Sequence, residues 1–177
     1  DKYLSVEESG VIKIKKNDTE IGAISGDFIK FTEYEGEVIA VSSEEIKVSD
    51  NLDTLFQGNI TDAIAKKDGI YVSTKEKIYF FENGVSPFKE ILEISEGEIN
   101  SIEILENIFY SYTIRDTSFI YKLTQEKEFE EKYFPESNFS FYKKASDGNT
   151  YAFKNESLAE IKYDSGNLIY ETLTTKI

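Results

Sequence analysis

Five times along these 177 residues a short apolar stretch is followed by a second one at a nearly fixed distance. The pairs are Tyr3-Leu4-Ser5-Val6 with Val11-Ile12-Lys13-Ile14, Val38-Ile39-Ala40-Val41 with Ile46-Lys47-Val48, and Ile70-Tyr71-Val72-Ser73 with Ile78-Tyr79-Phe80-Phe81. Two more follow: Ile108-Phe109-Tyr110-Ser111-Tyr112 with Phe119-Ile120-Tyr121, and Thr150-Tyr151-Ala152-Phe153 with Leu158-Ala159-Glu160-Ile161. The second stretch starts 8 residues after the first in four copies and 11 after it in the fourth, and the copies recur every 32 to 42 residues. Alternating β-branched and aromatic residues over runs this short read as strands, because such side chains pack well on a pleated surface.

The punctuation agrees. Asn17-Asp18, Asp50-Asn51, Asn83-Gly84 and Asp164-Ser165-Gly166 follow the second stretch and suit tight hairpin turns, whereas Thr124-Gln125 is a weaker signal. A third strand comes next, and one more strand-like stretch precedes copies two to five, beginning at Asp27, Ile60, Glu98 and Phe139. Four strands per 32 to 42 residues is the period of a β-propeller blade. The expected fold is therefore all-β, a propeller of about five four-stranded blades in a single domain over residues 1–177. A fragment of a larger propeller and a β-sandwich are the alternatives. Copy one has no room for a leading strand before Tyr3, so the tail, residues 172–177, is expected to join the first blade and close the ring.

Composition limits the chemistry. The chain has no Cys, His, Met or Trp, which removes disulfides, the usual zinc sites and every His- or Cys-dependent catalytic system. Lys and Arg number 20 against 34 Asp and Glu, a net charge of −14. Such a chain is not expected to bind nucleic acid or anionic lipid, both of which require clustered cations. Arg115 is the only Arg, so bidentate phosphate clamps are nearly unavailable. No apolar run is long enough to span a membrane. A chain that begins at Asp1 and lacks Met reads as a processed or excised piece, and its Lys/Ile/Glu/Asn-rich composition suits an AT-rich prokaryote.

The last copy reads Ala145-Ser146-Asp147-Gly148-Asn149-Thr150-Tyr151-Ala152-Phe153, then Asp164-Ser165-Gly166-Asn167-Leu168-Ile169-Tyr170-Glu171. This resembles the repeat of quinoprotein-type propellers, a D-G-x-x-Y-A strand followed by a D-x-x-T/S-G-x-x-x-W hairpin. Asp68-Gly69-Ile70-Tyr71-Val72 is a second, shorter match. Tyr170 stands where that family keeps a docking Trp, and family members that bind pyrroloquinoline quinone are much longer. The resemblance therefore implies a non-catalytic scaffold of the bacterial envelope, with no cofactor.

Two sets of side chains are candidates for function. Asp27, Asp62 and Glu98, one per leading strand, are the carboxylates that would line a central channel; a glycan-cleaving propeller would need two of them facing each other across a cleft. The fourth copy carries three extra residues between its paired stretches, with Arg115 and Asp116 there and Tyr110 and Tyr112 just before. Insertions in regular arrays often bind, and Tyr with Arg is enriched at interface hot spots. No calcium loop and no Gly-rich phosphate cradle occurs, and the Asn-x-Ser/Thr triplets at Asn17, Asn59, Asn138 and Asn155 are read as chance. The expected role is a non-catalytic, extracytoplasmic protein-binding or scaffold module with a basic protein partner. A carbohydrate-binding or glycan-cleaving propeller is the alternative.

Overall fold

The computed structural model describes residues 1–82, 85–105, 107–115, 117–123, 132–133, 141–144, 149–154, 157–164 and 167–174. Asp116, the turn pairs Asn83-Gly84, Thr124-Gln125 and Ser165-Gly166, the triplet positions Asn138 and Asn155, and residues 145–148 of the last motif lie outside these.

The described residues form 19 strands in five sheets and no helix, so no helix among them is long and apolar enough to cross a membrane. The first sheet has three strands: β1 (Tyr3–Glu8), β2 (Val11–Lys16) and β3 (Thr19–Ile24). The second has β4 (Phe28–Tyr34), β5 (Glu37–Ser42), β6 (Glu45–Val48) and β7 (Thr54–Gln57). The third has β8 (Ile60–Lys66), β9 (Gly69–Thr74), β10 (Lys77–Glu82) and β11 (Val85–Glu93). The fourth has β12 (Glu98–Leu105), β13 (Asn107–Ile114), β14 (Thr117–Lys122) and the two-residue β15 (Lys132–Tyr133). The fifth has β16 (Phe141–Lys144), β17 (Thr150–Lys154), β18 (Ser157–Asp164) and β19 (Asn167–Thr174). In each sheet the spatial order follows the chain order, which is the four-stranded unit read from the repeat.

Tight turns hold these meanders together. Asn17-Asp18, Ser9-Gly10 and Glu35-Gly36 all have positive φ at both central positions. That turn hand matches the right-handed twist of the flanking strands.

Two expectations need revision. The closing strand is not shown: Thr172 and Thr174 pair with Ala159 and Leu158 of the fifth sheet, the first sheet holds three strands among the described residues, and residues 175–177 lie outside them. Residues through Thr174 simply continue the β18–β19 ladder past a bulge at Leu158/Ala159. The insertion in the fourth copy is not a loop either. β13 and β14 stay paired out to Ile114↔Thr117, so the extra residues lengthen the hairpin and leave Arg115 at its turn.

The chain folds as two compact units, Asp1–Thr74 with Tyr79–Lys89, and Lys75–Ile78 with Glu90–Ile177. In the first unit, Ile14 and Ile24 of the first sheet pack with Ala40 of the second, supported by Phe28 and Phe31. Ile39, Val41, Ile46 and Val48 of the second sheet pack with Ile60, Ala63, Ile70 and Val72 of the third. Each fully buried aliphatic side chain contributes about 1.5–3 kcal/mol, so these faces dominate the stability of the unit. In the second unit Ile99, Ile102, Phe109, Tyr110, Ile120 and Ile161 are almost wholly enclosed.

Successive sheets are also tied through backbone. The Ile60 N–H donates to the Ser43 carbonyl at 2.8 Å, and the Gly58 N–H to the Glu44 carbonyl at 2.9 Å. In the second unit the Ile99 N–H donates to the Lys75 carbonyl at 2.6 Å and the Ile94 N–H to the Glu76 carbonyl at 2.9 Å. Ser43-Glu44 and Lys75-Glu76 are the turns between the second and third strands of their sheets. In both cases the chain entering a new sheet hydrogen-bonds to the hairpin turn of the sheet before it, which satisfies backbone groups that strand pairing leaves over.

Candidate functional site

The leading strands of the second, third and fourth sheets share a defect. Each has a bulge against its neighbour: Phe28/Lys30 on β4, Ile60/Asp62 on β8 and Ile99/Ser101 on β12. A bulge leaves one residue unpaired and bends the strand, so it fixes a common reference point in the three sheets. From that reference, Asp27, Asn59 and Glu98 stand at one equivalent position, and Lys30, Asp62 and Ser101 at another. The three carboxylates singled out by the sequence thus fall at two different positions of the unit.

Their surroundings differ accordingly. Asp62 is only 7% exposed. Its Oδ1 lies 2.7 Å from Lys30 Nζ on the neighbouring leading strand and accepts the Ala63 N–H at 2.8 Å. Asp27 is exposed ahead of β4, with its backbone tied to Ser43: its N–H donates to Ser43 Oγ at 2.9 Å, and its carbonyl accepts the Ser43 N–H at 2.8 Å. Glu98 is exposed and paired with Lys75 at 2.9 Å.

Two further buried carboxylates carry no sequence signature. Glu45, 5% exposed, accepts the Ser25 N–H at 2.6 Å and pairs with Lys47 at 3.0 Å; Lys47 in turn donates to the Ala23 carbonyl at 3.3 Å. Burial alone would raise the Glu45 carboxyl, but the Ser25 N–H and the Lys47 ammonium outweigh it and hold the group below its ordinary range. Glu103, 3% exposed, accepts the Thr150 hydroxyl at 3.3 Å. Asp62, Glu45 and Glu103 all bridge one sheet to the next, where a charge left without partners would be costly. Among the described residues no group of three or more potential metal ligands is assembled.

The second candidate set is partly withdrawn from the surface. Tyr110 is 1% exposed and stacks on Tyr121, with centroids 5.7 Å apart and planes at 18°. Burial pushes its phenol far above the ordinary tyrosine range. It is a packing residue and cannot meet a partner without being pulled from the core. Tyr112 is half-buried and joins the same cluster, 5.2 Å from Tyr121 and 5.7 Å from Phe119. Arg115 is exposed at the hairpin turn with φ 52°, a conformation that Asn or Gly adopts more cheaply. Asp116, beside it, lies outside the described residues.

What sequence reading did not isolate is the acidic end of each unit. Glu44 and Glu76 are the exposed second residues of equivalent hairpin turns, and Asp27 and Glu98 are the exposed residues just ahead of equivalent bulges. Carboxylates therefore stand at two of the three equivalent leading-strand starts, Asn59 holding the third, and at both of these hairpin turns. The fixed 8-residue offset marks those turns, but only the bulge register shows that Asp27 and Glu98 correspond.

No family model matches the sequence, and no curated protein matches it. Solved structures do. The extracellular domain of a putative hybrid two-component system from B. thetaiotaomicron is similar at a TM-score of 0.60 and 14% identity, over 98% of this chain and 26% of that one. A catalytically inactive virginiamycin B lyase from Staphylococcus aureus gives 0.63 and 12%, over 94% of this chain and 64% of that one. YCF48 from Cyanidioschyzon merolae gives 0.57 and 12%, over 93% and 65%. The chain thus spans less than two thirds of each of these three proteins. At such identities the likeness is one of fold alone: an all-β chain of three- and four-stranded antiparallel sheets, similar to β-propeller-like proteins.

Proposed function

We propose that this chain is a non-catalytic protein-binding module made of propeller blades, acting outside the cytoplasm of a bacterium as part of an envelope or surface protein. Its partner is a basic protein surface. Exposed carboxylates at equivalent positions of different sheets carry this reading: Asp27 and Glu98 just ahead of the bulges of β4 and β12, and Glu44 and Glu76 in the turns between second and third strands. An overall charge of −14 would steer a cationic partner toward such an end. The extracellular domain among the similar structures supports the compartment. The buried carboxylates support a role without acid–base catalysis, because Asp62, Glu45 and Glu103 are engaged in holding sheets together.

The test uses a lysine-rich peptide as probe, a glutamate-rich peptide as control, and a glycan array with a glycosidase screen. Binding of the cationic probe should weaken about tenfold on reversing Asp27 and Glu44 to Lys, and similarly between about 0.05 and 0.3 M salt. Reversing Glu33 and Glu37, exposed at the β4–β5 turn, makes the same change in net charge and should cost far less. Equal losses in both double variants would reduce the site to bulk charge and sink the assignment. Glycan binding or cleavage abolished by Asp62→Asn would replace it with the carbohydrate reading.

A further inference from the structure

In the second sheet the segment leading into β4 is anchored on the β5–β6 hairpin. Glu45, the first residue of β6, is buried, and its Oε1 accepts the Ser25 N–H at 2.6 Å. The same oxygen lies 3.0 Å from Lys47 Nζ, which donates to the Ala23 carbonyl at 3.3 Å. Two residues past Ser25, the Asp27 N–H donates to Ser43 Oγ at 2.9 Å and the Asp27 carbonyl accepts the Ser43 N–H at 2.8 Å. Residues 23–27 are thus held at Ala23, Ser25 and Asp27, always by residues of the hairpin.

Gly26 stands between two of these anchors, with φ 75°. A Cβ there would lie 2.7 Å from Glu44 Cγ and 2.6 Å from Ser43 Oγ, so the stem of Glu44 rests on the residue just before Asp27. The hairpin itself is closed by Ser42, whose Oγ accepts the Glu45 N–H at 3.0 Å and donates to the Glu45 carbonyl at 3.0 Å. On the far side, the Gly58 N–H donates to the Glu44 carbonyl at 2.9 Å. The exposed side chains of Asp27 and Glu44 therefore rise from adjoining pieces of backbone, each of them fixed.

A buried carboxylate is an expensive way to join two elements, and apolar packing of similar volume often serves as well. What Glu45 supplies that an apolar side chain cannot is an acceptor for the Ser25 N–H. We infer that Glu45 is a positioning residue for cation recognition: through Ser25 it fixes the segment 23–27, so that Asp27 and Glu44 present their carboxylates together to a cationic side chain of the partner. This rests on the cationic-partner reading above and adds to it a residue that never touches the partner. Two carboxylates ordered in advance spare the complex the cost of ordering them on binding.

Titration with the lysine-rich peptide tests this. Glu45→Leu with Lys47→Met removes the acceptor and leaves the net charge at −14. Binding should weaken about tenfold, by the same factor at about 0.05 and 0.15 M salt, because the charges that meet the partner are unchanged. Glu45→Gln with Lys47→Met keeps an oxygen for the Ser25 N–H and should bind within about twofold of the wild type. Val72→Ala, a truncation in the core of the same unit, should lower Tm and leave binding unchanged. If the variant with Glu45→Leu does not fold, Glu45→Asp keeps every charge but shortens the reach to Ser25. It should bind about threefold more weakly, with faster amide exchange at Ser25 and Asp27. Equal affinity in the two double variants, or affinity that falls in step with Tm across all the variants, would overturn the inference and leave the binding reading standing. A wild-type chain that does not bind the peptide would overturn both.

Discussion

Asp62 is the residue whose role changes most between sequence and structure. In sequence it is one of three leading-strand carboxylates expected to line a channel; in the fold it lies one position past a bulge, and the equivalent position on the neighbouring sheet is Lys30. With the Asp62 side chain 10% exposed and Lys30 31% exposed, the pair is partly desolvated, so removing one member leaves the other poorly solvated. Asp62→Asn should cost about 1–3 kcal/mol, read as a Tm roughly 3–9 °C lower by calorimetry, and Lys30→Met in the same chain should recover most of it. Glu45 gives a pH dependence of definite sign. Its carboxyl is depressed in the fold, so the stability it confers is present above the ordinary carboxylate range and is lost as pH falls through the folded value. Urea melts between about pH 5 and 2 should show a shallower acid loss in Glu45→Gln than in the wild type. Gly69 explains part of the Asp-Gly-x-Tyr motif. A Cβ there would lie 2.0 Å from the Phe81 carbonyl oxygen, and Asp68 accepts the Tyr71 hydroxyl at 3.2 Å. The motif is read in sequence as family likeness; the close backbone approach that demands the glycine appears only once β9 and the Phe80-Phe81 segment are placed together.

At the scale of elements, the 8-residue offset and the turn residues placed most hairpins correctly, since a period-2 pattern and a tight turn leave little choice of register. The fourth copy misled for an instructive reason. Three extra residues look the same in sequence whether they swell a loop or lengthen two strands. Here Thr113↔Ser118 and Ile114↔Thr117 keep pairing, and the side chain of Asn100 donates to the Thr113 hydroxyl at 2.7 Å. Arg115 is left at the turn with positive φ. Arg115→Asn should therefore raise stability by about 0.5–1 kcal/mol in urea unfolding. If the hairpin contacts the proposed partner through this guanidinium, the same variant should bind less tightly. Higher stability together with weaker binding separates a recognition residue from a structural one, and unchanged binding would remove Arg115 from the surface. The repeated bulges were not visible in advance, because no single residue type marks them: the skipped positions are Ile29, Thr61 and Asn100 in the leading strands.

For the molecule as a whole, charge is the dominant long-range quantity. Acids outnumber cations by 14, and several Lys residues are already paired within their own sheets, as Lys13 is with Glu8 and Glu20, and Lys77 with Glu90 and Glu93. The residual field is self-repulsive, so screening should stabilise the fold. Raising salt from about 0.01 to 0.3 M should lift Tm by roughly 2–5 °C while weakening cationic binding. A Tm that falls instead would mean that the surface ion pairs outweigh the net repulsion.

The sequence by itself determined the class of structure: short strands, hairpin turns at set intervals, a five-fold repeat, and a chemistry without His, Cys or Trp. These follow from local physics, namely side-chain shape on a pleat and the backbone angles that turns require. Only the tertiary structure decided that Tyr110 belongs to the core, that Thr172 and Thr174 pair in the fifth sheet, and that Asp27 aligns with Glu98 but not with Asp62. Each of those outcomes depends on which sheet a face meets. That meeting is a contact between residues distant in the chain, and no local pattern encodes it.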